Sequence, residues 1–414
     1  MRSEIITNID NPGFLERLYR SDKKDFKKEF LEIYTQVKER PVAGFWYERL
    51  NYESDEISWG TKSEWVFVIF ASLIAGILAK LPDIFTISEE FYYSRNISFL
   101  VFPFLTAYFC WKNNLTTKNI AIVTSIFLAG LIYINILPGS AETSDTLLLA
   151  CIHTPLLLWM TFGLSFTADK IHDFGNRLRF LRFNGDLLVM SAILVLAGIL
   201  MSGITLGLFN LIGMEIEEFY FRYIVLFGLP AIPIFATFLT HTNPQLVNKV
   251  SPVIAKIFSP LVLVMLIIYL GAIIYSGKDP YNDREFLLIF NLLLTGVIAL
   301  IFFSVAESIK KGKLSSLWVL LPLSVVTIIV NAVALSAILF RISEWGFTPN
   351  RLAILGINIL FLVHLIIIAL RLFKILFKKS EVSIVEKAIA AYLPVYLVWI
   401  CIVVFVFPFL FGFK

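Results

Sequence analysis

From residue 65 onward the chain alternates long apolar runs with short polar punctuation. A helix crossing about 30 Å of hydrocarbon needs roughly 20 apolar residues. Nine charge-free runs between residues 119 and 413 meet or approach that length. Two shorter runs, 65–79 and 96–111, precede them and reach full length if Lys80 and Arg95 extend their charged heads to the interface. The pattern predicts about 11 transmembrane helices, near 65–81, 96–111, 119–137, 146–166, 187–212, 219–240, 256–275, 286–306, 314–340, 350–371 and 388–411. The fold class is all-α, a polytopic integral membrane helix bundle occupying 65–414.

Residues 1–64 follow a different pattern. Asn11-Pro12 reads as a helix cap with proline in the first turn. Ser21 or Asp22 opens a second helix, in which Phe26, Phe30, Ile33, Tyr34 and Val37 recur at helical spacing. Pro41 starts a third piece carrying Phe45, Trp46 and Leu50. Lys23, Lys24, Lys27 and Lys28 flank the apolar stripe, but Asp22, Asp25, Glu29 and Glu32 neutralise them, so a solvated helical segment is expected rather than a lipid-binding one.

Composition sharpens this picture. Of 414 residues, 58% are apolar and 16% charged, against about 25% charged in soluble domains. The first 64 positions hold 24 of the 66 charged residues. Cys110, Cys151 and Cys401 all lie in apolar stretches, where a disulfide framework is not expected. The formal charge of +4 is too diffuse to point to nucleic acid. The polar start, Met1 to Asn11, lacks the apolar core of a cleavable signal.

Lys and Arg in short loops orient membrane helices. With the N-terminus inside, the loops after residue 64 place 16 basic residues inside and 8 outside, while acidic residues divide 6 to 12 the other way. The expectation is a bacterial inner-membrane protein with its N-terminus cytoplasmic and its C-terminus periplasmic.

Four stretches are familiar. They are Arg341-Ile342-Ser343-Glu344-Trp345-Gly346-Phe347-Thr348-Pro349-Asn350-Arg351, Leu226-Phe227-Gly228-Leu229-Pro230-Ala231, Ser259-Pro260-Leu261-Val262-Leu263, and Phe180-Leu181-Arg182-Phe183-Asn184-Gly185-Asp186. Together with the segment from Asn11-Pro12 to Arg49-Leu50-Asn51-Tyr52-Glu53, they resemble a bacterial multi-pass membrane family catalogued as a domain of unknown function (number four-one-five-three). The resemblance implies the membrane fold and carries no activity, substrate or catalytic residue. Read physically, Thr348-Pro349 is a helix cap. Arg341 and Glu344, three apart, with Arg351 as a further partner, predict an ion-paired corner.

Candidate chemistry is sparse. No metal-ligand spacing, nucleophile elbow, phosphate loop or dinucleotide fingerprint is present, and no cofactor is implied. Asp169, His172 and Asp173 form a patch that suits a helix cap, or pairing with Arg177, better than a metal. Ionisable residues inside membranes mark function, and the histidines within the predicted spans are His153 and His364. Pro230 and Pro233 predict a kinked sixth span. Asn135, His153, Asn210, Asn291, Asn331 and Asn358 fall toward the outer ends of their spans and form the candidate polar cavity, its mouth made negative by Glu215, Glu217 and Glu218.

Three functions compete. The leading one binds or passes a small or lipid-like molecule without enzymatic chemistry. The second is a scaffold or sensor whose N-terminal segment contacts a cytoplasmic partner, and the third is an integral-membrane enzyme. The lipid bilayer is the one partner implied outright; a further protein partner or a homo-oligomer is left open.

Overall fold

Long apolar runs can satisfy their backbone in hydrocarbon only by coiling, and every regular element among the described residues is a helix. The computed structural model describes residues 2–51, 59–140, 142–211, 215–248, 259–268, 270–271, 284–310, 317–378, 381 and 383–414. Two compact units are present, Met1–Ser58 and Trp59–Lys414.

The first unit holds α1 (Arg2–Thr7), α2 (Pro12–Ser21), α3 (Lys23–Val37) and α4 (Pro41–Asn51). Asn11 caps α2 by accepting from the Phe14 N–H at 3.1 Å, and Asp22 caps α3 by accepting from Asp25 at 2.9 Å. The predicted stripe closes a core of its own, with Ile5, Leu15, Phe26, Phe30, Ile33 and Trp46 all but inaccessible. Tyr34 stacks on Tyr47 at 3.9 Å, and Arg49 lies over Trp46 while pairing with Glu16 at 2.9 Å. The unit ends at Ser58 rather than at residue 64. Thr61 and Glu64 already belong to the first long helix, which they open with a reciprocal capping box.

The second unit runs through α5 (Lys62–Ala79), α6 (Leu81–Phe85), α7 (Glu89–Asn96), α8 (Phe102–Lys112), α9 (Thr117–Ile136), α10 (Asp145–Thr167) and α11 (Phe174–Leu211). It continues with α12 (Glu217–Thr242), α13 (Ser259–Ile268), α14 (Arg284–Lys310), α15 (Leu317–Trp345), α16 (Pro349–Lys378) and α17 (Ser383–Leu410). Eight of the described helices, α5, α9, α10, α11, α12, α15, α16 and α17, are long and apolar enough to cross a membrane. The chain is an all-α membrane protein.

The second predicted span, 96–111, is not one regular helix: a 3₁₀ turn at Ile97–Leu100 separates α7 from α8, with Pro103 in the first turn of α8. Nor do the two flanking cations reach outward. Lys80 is 7% exposed and paired with Asp83. Arg95 is 3% exposed and donates to the carbonyls of Ile134, Leu137 and Gly139 at 2.6–2.9 Å, capping the end of α9. Such carbonyls have no partner within their own helix, so the guanidinium and the helix end satisfy each other.

Small residues let the helices approach closely. Phe227 of α12 fills the space over Gly76 of α5, Phe303 of α14 that over Gly185 of α11, and Trp399 of α17 that over Gly356 of α16. Pro230 and Pro233 sit within continuous helix, directly after a π-helical turn at Tyr220–Val225; Pro408 likewise follows a π turn at Ile402–Val406. The wider turn accommodates the missing N–H of Pro408, four residues after Val404, whereas the carbonyls that Pro230 and Pro233 leave open, at Leu226 and Leu229, lie beyond theirs. Asp173 caps α11 by accepting from the Gly175 N–H and the Asn176 amide, while Arg177 donates to the carbonyls of Ile171 and Ala390. The side chain of Asp169 lies outside the described residues.

Candidate functional site

The interruption between α7 and α8 has a consequence for shape. Because the chain turns there, α7 and α8 do not seal against α9, and an open groove of about 960 Å³ runs between them. Its walls are apolar, with Phe91, Phe99, Leu100 and Phe104 on one side and Val123, Phe127, Leu128 and Leu131 on the other. Ala107, Thr124 and Leu128 are exposed at its mouth. Asn96 and Asn135 stand at one end, Cys110, Trp111 and Ile120 at the other, and Thr106 lies between. None of the lining residues carries a formal charge. On α9, Ile120 to Asn135 spans about 22 Å at the helical rise.

Asn135 is thus brought to a site, but not with its predicted companions. Its amide nitrogen donates to Asn96 at 2.7 Å and to the Leu131 carbonyl at 2.9 Å, and Asn96 donates back at 3.0 Å. Asn291, Asn331 and Asn358 form a second set, linking α14, α15 and α16. Asn358 donates to Asn291 at 2.8 Å and Asn331 to Asn358 at 3.4 Å, with Asn331 and Asn358 fully buried. His153 joins neither set, its Nδ1 lying 2.8 Å from the Leu149 carbonyl of its own helix. The side chain of Asn210 lies outside the described residues. Of the six predicted groups, the five with described side chains fall into two separate amide clusters and a histidine bonded to its own helix. Sequence position ranks depth along a span but not the face each side chain takes.

The predicted ion-paired corner is also corrected. Among the described residues no ion pair joins Glu344 to Arg341 or Arg351. Both guanidiniums instead lie over the Trp345 ring, at 5.0 and 5.7 Å. Arg351 donates to the carbonyls of Trp345 and Gly346 at 2.7 and 2.8 Å, where Gly346 ends α15 with φ of +73°. Thr348 caps α16 as expected, accepting from the Arg351 N–H at 3.3 Å. The two open carbonyls at the helix end give Arg351 fixed acceptors, whereas pairing with a solvated carboxylate gains little.

One charged cluster was not anticipated. Glu64 of α5, 3% exposed, accepts from Lys112 at 2.7 Å and Tyr108 at 3.3 Å, both on α8, and from the Thr61 N–H and hydroxyl at 2.7 and 3.0 Å. The Tyr108 hydroxyl is also 3.1 Å from Nδ1 of His241 on α12. Titratable groups converging at one end of the bundle are what an enzyme requires. Here the carboxylate already has four donors, which tie α5 to α8, and Tyr108 carries the connection on to α12 through His241. The sequence signal was faint: one acid and one base at the edges of two apolar runs, 48 positions apart. At the opposite ends of α5 and α12, Lys80 and Arg222 both bond Asp83 and hold its carboxyl below the usual carboxylate range.

Searches of protein-family models, curated proteins and solved structures return no match to this chain.

Proposed function

We propose that the chain is a bacterial inner-membrane protein of eleven spans that holds a lipid-like molecule in the groove between α7–α8 and α9 and performs no chemistry on it. The observation that carries this reading is the groove itself: about 960 Å³, apolar, uncharged and open to the side. Specific sites of this kind are mostly apolar with a few placed polar groups, and Asn96 and Asn135 are such groups. A water-soluble substrate would find few partners there. The eleven spans are the eight long helices with α7–α8, α13 and α14 added. The basic-residue asymmetry puts the N-terminus in the cytoplasm and the Asn96–Asn135 end of the groove at the periplasmic side. Likeness to the family of domain number four-one-five-three belongs to the same proposal and adds the fold alone.

The test is photolabelling. Full-length protein in nanodiscs containing a phospholipid with a diazirine on its acyl chain should be labelled within residues 96–135. Ala107→Trp and Leu128→Trp, which fill the groove, should reduce labelling severalfold; unchanged labelling in both contradicts the reading. For the topology, alkaline phosphatase fused after Phe413 should be active and fused after Lys379 inactive, and the reverse would invert it.

A second reading, a scaffold or sensor whose first unit contacts a cytoplasmic partner, draws on one observation. That unit completes its own core and yet leaves Phe45 63% exposed, so Phe45→Ser should release such a partner without unfolding the unit.

A further inference from the structure

The hydrogen-bonding polarity of the groove narrows its occupant, on the reading that the groove holds a lipid. Asn96 and Asn135 exchange hydrogen bonds, and each amide nitrogen also donates to the carbonyl four residues earlier, Tyr92 at 3.1 Å and Leu131 at 2.9 Å. Those second bonds settle which way each amide points, because turning either would set oxygen against oxygen. Both hydrogens of each nitrogen are therefore spent, while each amide oxygen, with two lone pairs, accepts only one bond. The pair presents acceptors and no donors.

A phosphate or carboxylate headgroup also presents acceptors, so it finds no partner here. The nearest cation in sequence, Arg95, has its guanidinium on three carbonyls and over the Phe91 ring, and it does not line the groove.

We infer that the groove takes an uncharged lipid with a free hydroxyl, which donates to the spare amide lone pairs of Asn96 and Asn135. Diacylglycerol and long-chain alcohols have this chemistry, whereas the ionised oxygens of a phosphate head offer only further acceptors.

The experiment is competition against the photolabel in nanodiscs by three probes with identical tails: diacylglycerol, its methyl ether and phosphatidic acid. Diacylglycerol should compete at about tenfold lower concentration than either of the others, the worth of one hydrogen bond in a dry site. Asn96→Leu/Asn135→Leu, which removes both amides and leaves neither orphaned, should erase that preference while retaining labelling. Equal competition by all three probes, with Ala107→Trp still abolishing the label, overturns the hydroxyl inference and leaves the lipid site standing. Labelling indifferent to Ala107→Trp overturns both.

Discussion

Phe227 lies directly over Gly76, so close that a β-carbon at residue 76 would collide with its ring. This contact joins α5 to α12 across 151 positions of sequence, and it exists because residue 76 has no side chain. Gly76→Ala should destabilise the protein by about 1–3 kcal/mol despite the better helix propensity of alanine. Phe227→Leu in the same chain should recover part of the loss. Thermal unfolding in detergent reads both.

Asn96 and Asn135 should behave as a coupled pair. Replacing either one by leucine leaves the other's amide short of a partner in an apolar setting. Each single variant should therefore lose more stability than half of the double variant's loss. Coupling energies for side-chain hydrogen bonds in membranes average about 0.6 kcal/mol and reach about 1.7, and a double-mutant cycle by steric trapping or denaturant unfolding should fall in that range.

Glu64 and Lys112 should show the asymmetry of a buried ion pair. Glu64→Gln leaves the Lys112 ammonium without its counter-ion, at a cost of about 2–3 kcal/mol, the lower part of the range for buried pairs because Lys112 is 28% exposed. Combining Glu64→Gln with Lys112→Met should restore much of this. Recovery in the double variant identifies the cluster as a structural tie, whereas loss that is additive contradicts it.

At the corner after α15, Trp345 should matter and Glu344 should not. Trp345→Ala removes the ring under two guanidiniums and should cost about 1–2 kcal/mol. Glu344→Gln should stay within about 0.5 kcal/mol of the parent protein. The opposite ranking would restore the ion-paired corner that the spacing of Arg341, Glu344 and Arg351 suggests.

How much of this was legible in the chain differs by level. Helical class, the polar first unit and the caps at Asn11 and Thr348 follow from local chemistry, since hydrophobic runs, proline at a first turn and a side-chain acceptor three residues before an N–H act within one segment. The break between α7 and α8 was visible only as a run shorter than its neighbours. Its effect, an open groove, depends on how α9 packs alongside. The amides show the same limit: their depth along each span was readable, but Asn96, at the edge of the second run, was passed over. Whether Asn135 faces Asn96 or Asn291 is a matter of helix rotation, which an almost uniformly apolar span does not encode. Both guanidiniums lie over the Trp345 ring and Arg351 takes the open carbonyls, while Glu344 is exposed, an outcome that three-residue spacing does not encode.

The central claim, a lipid-like molecule lying along α9, is tested most directly by a density map of the full-length protein in nanodiscs. The account predicts elongated non-protein density between Asn135 and Ile120, with its polar end within hydrogen-bonding distance of the Asn96–Asn135 pair. Side chains closing the space between α8 and α9, or a groove without ordered density at a resolution that shows lipids elsewhere on the bundle, would contradict it.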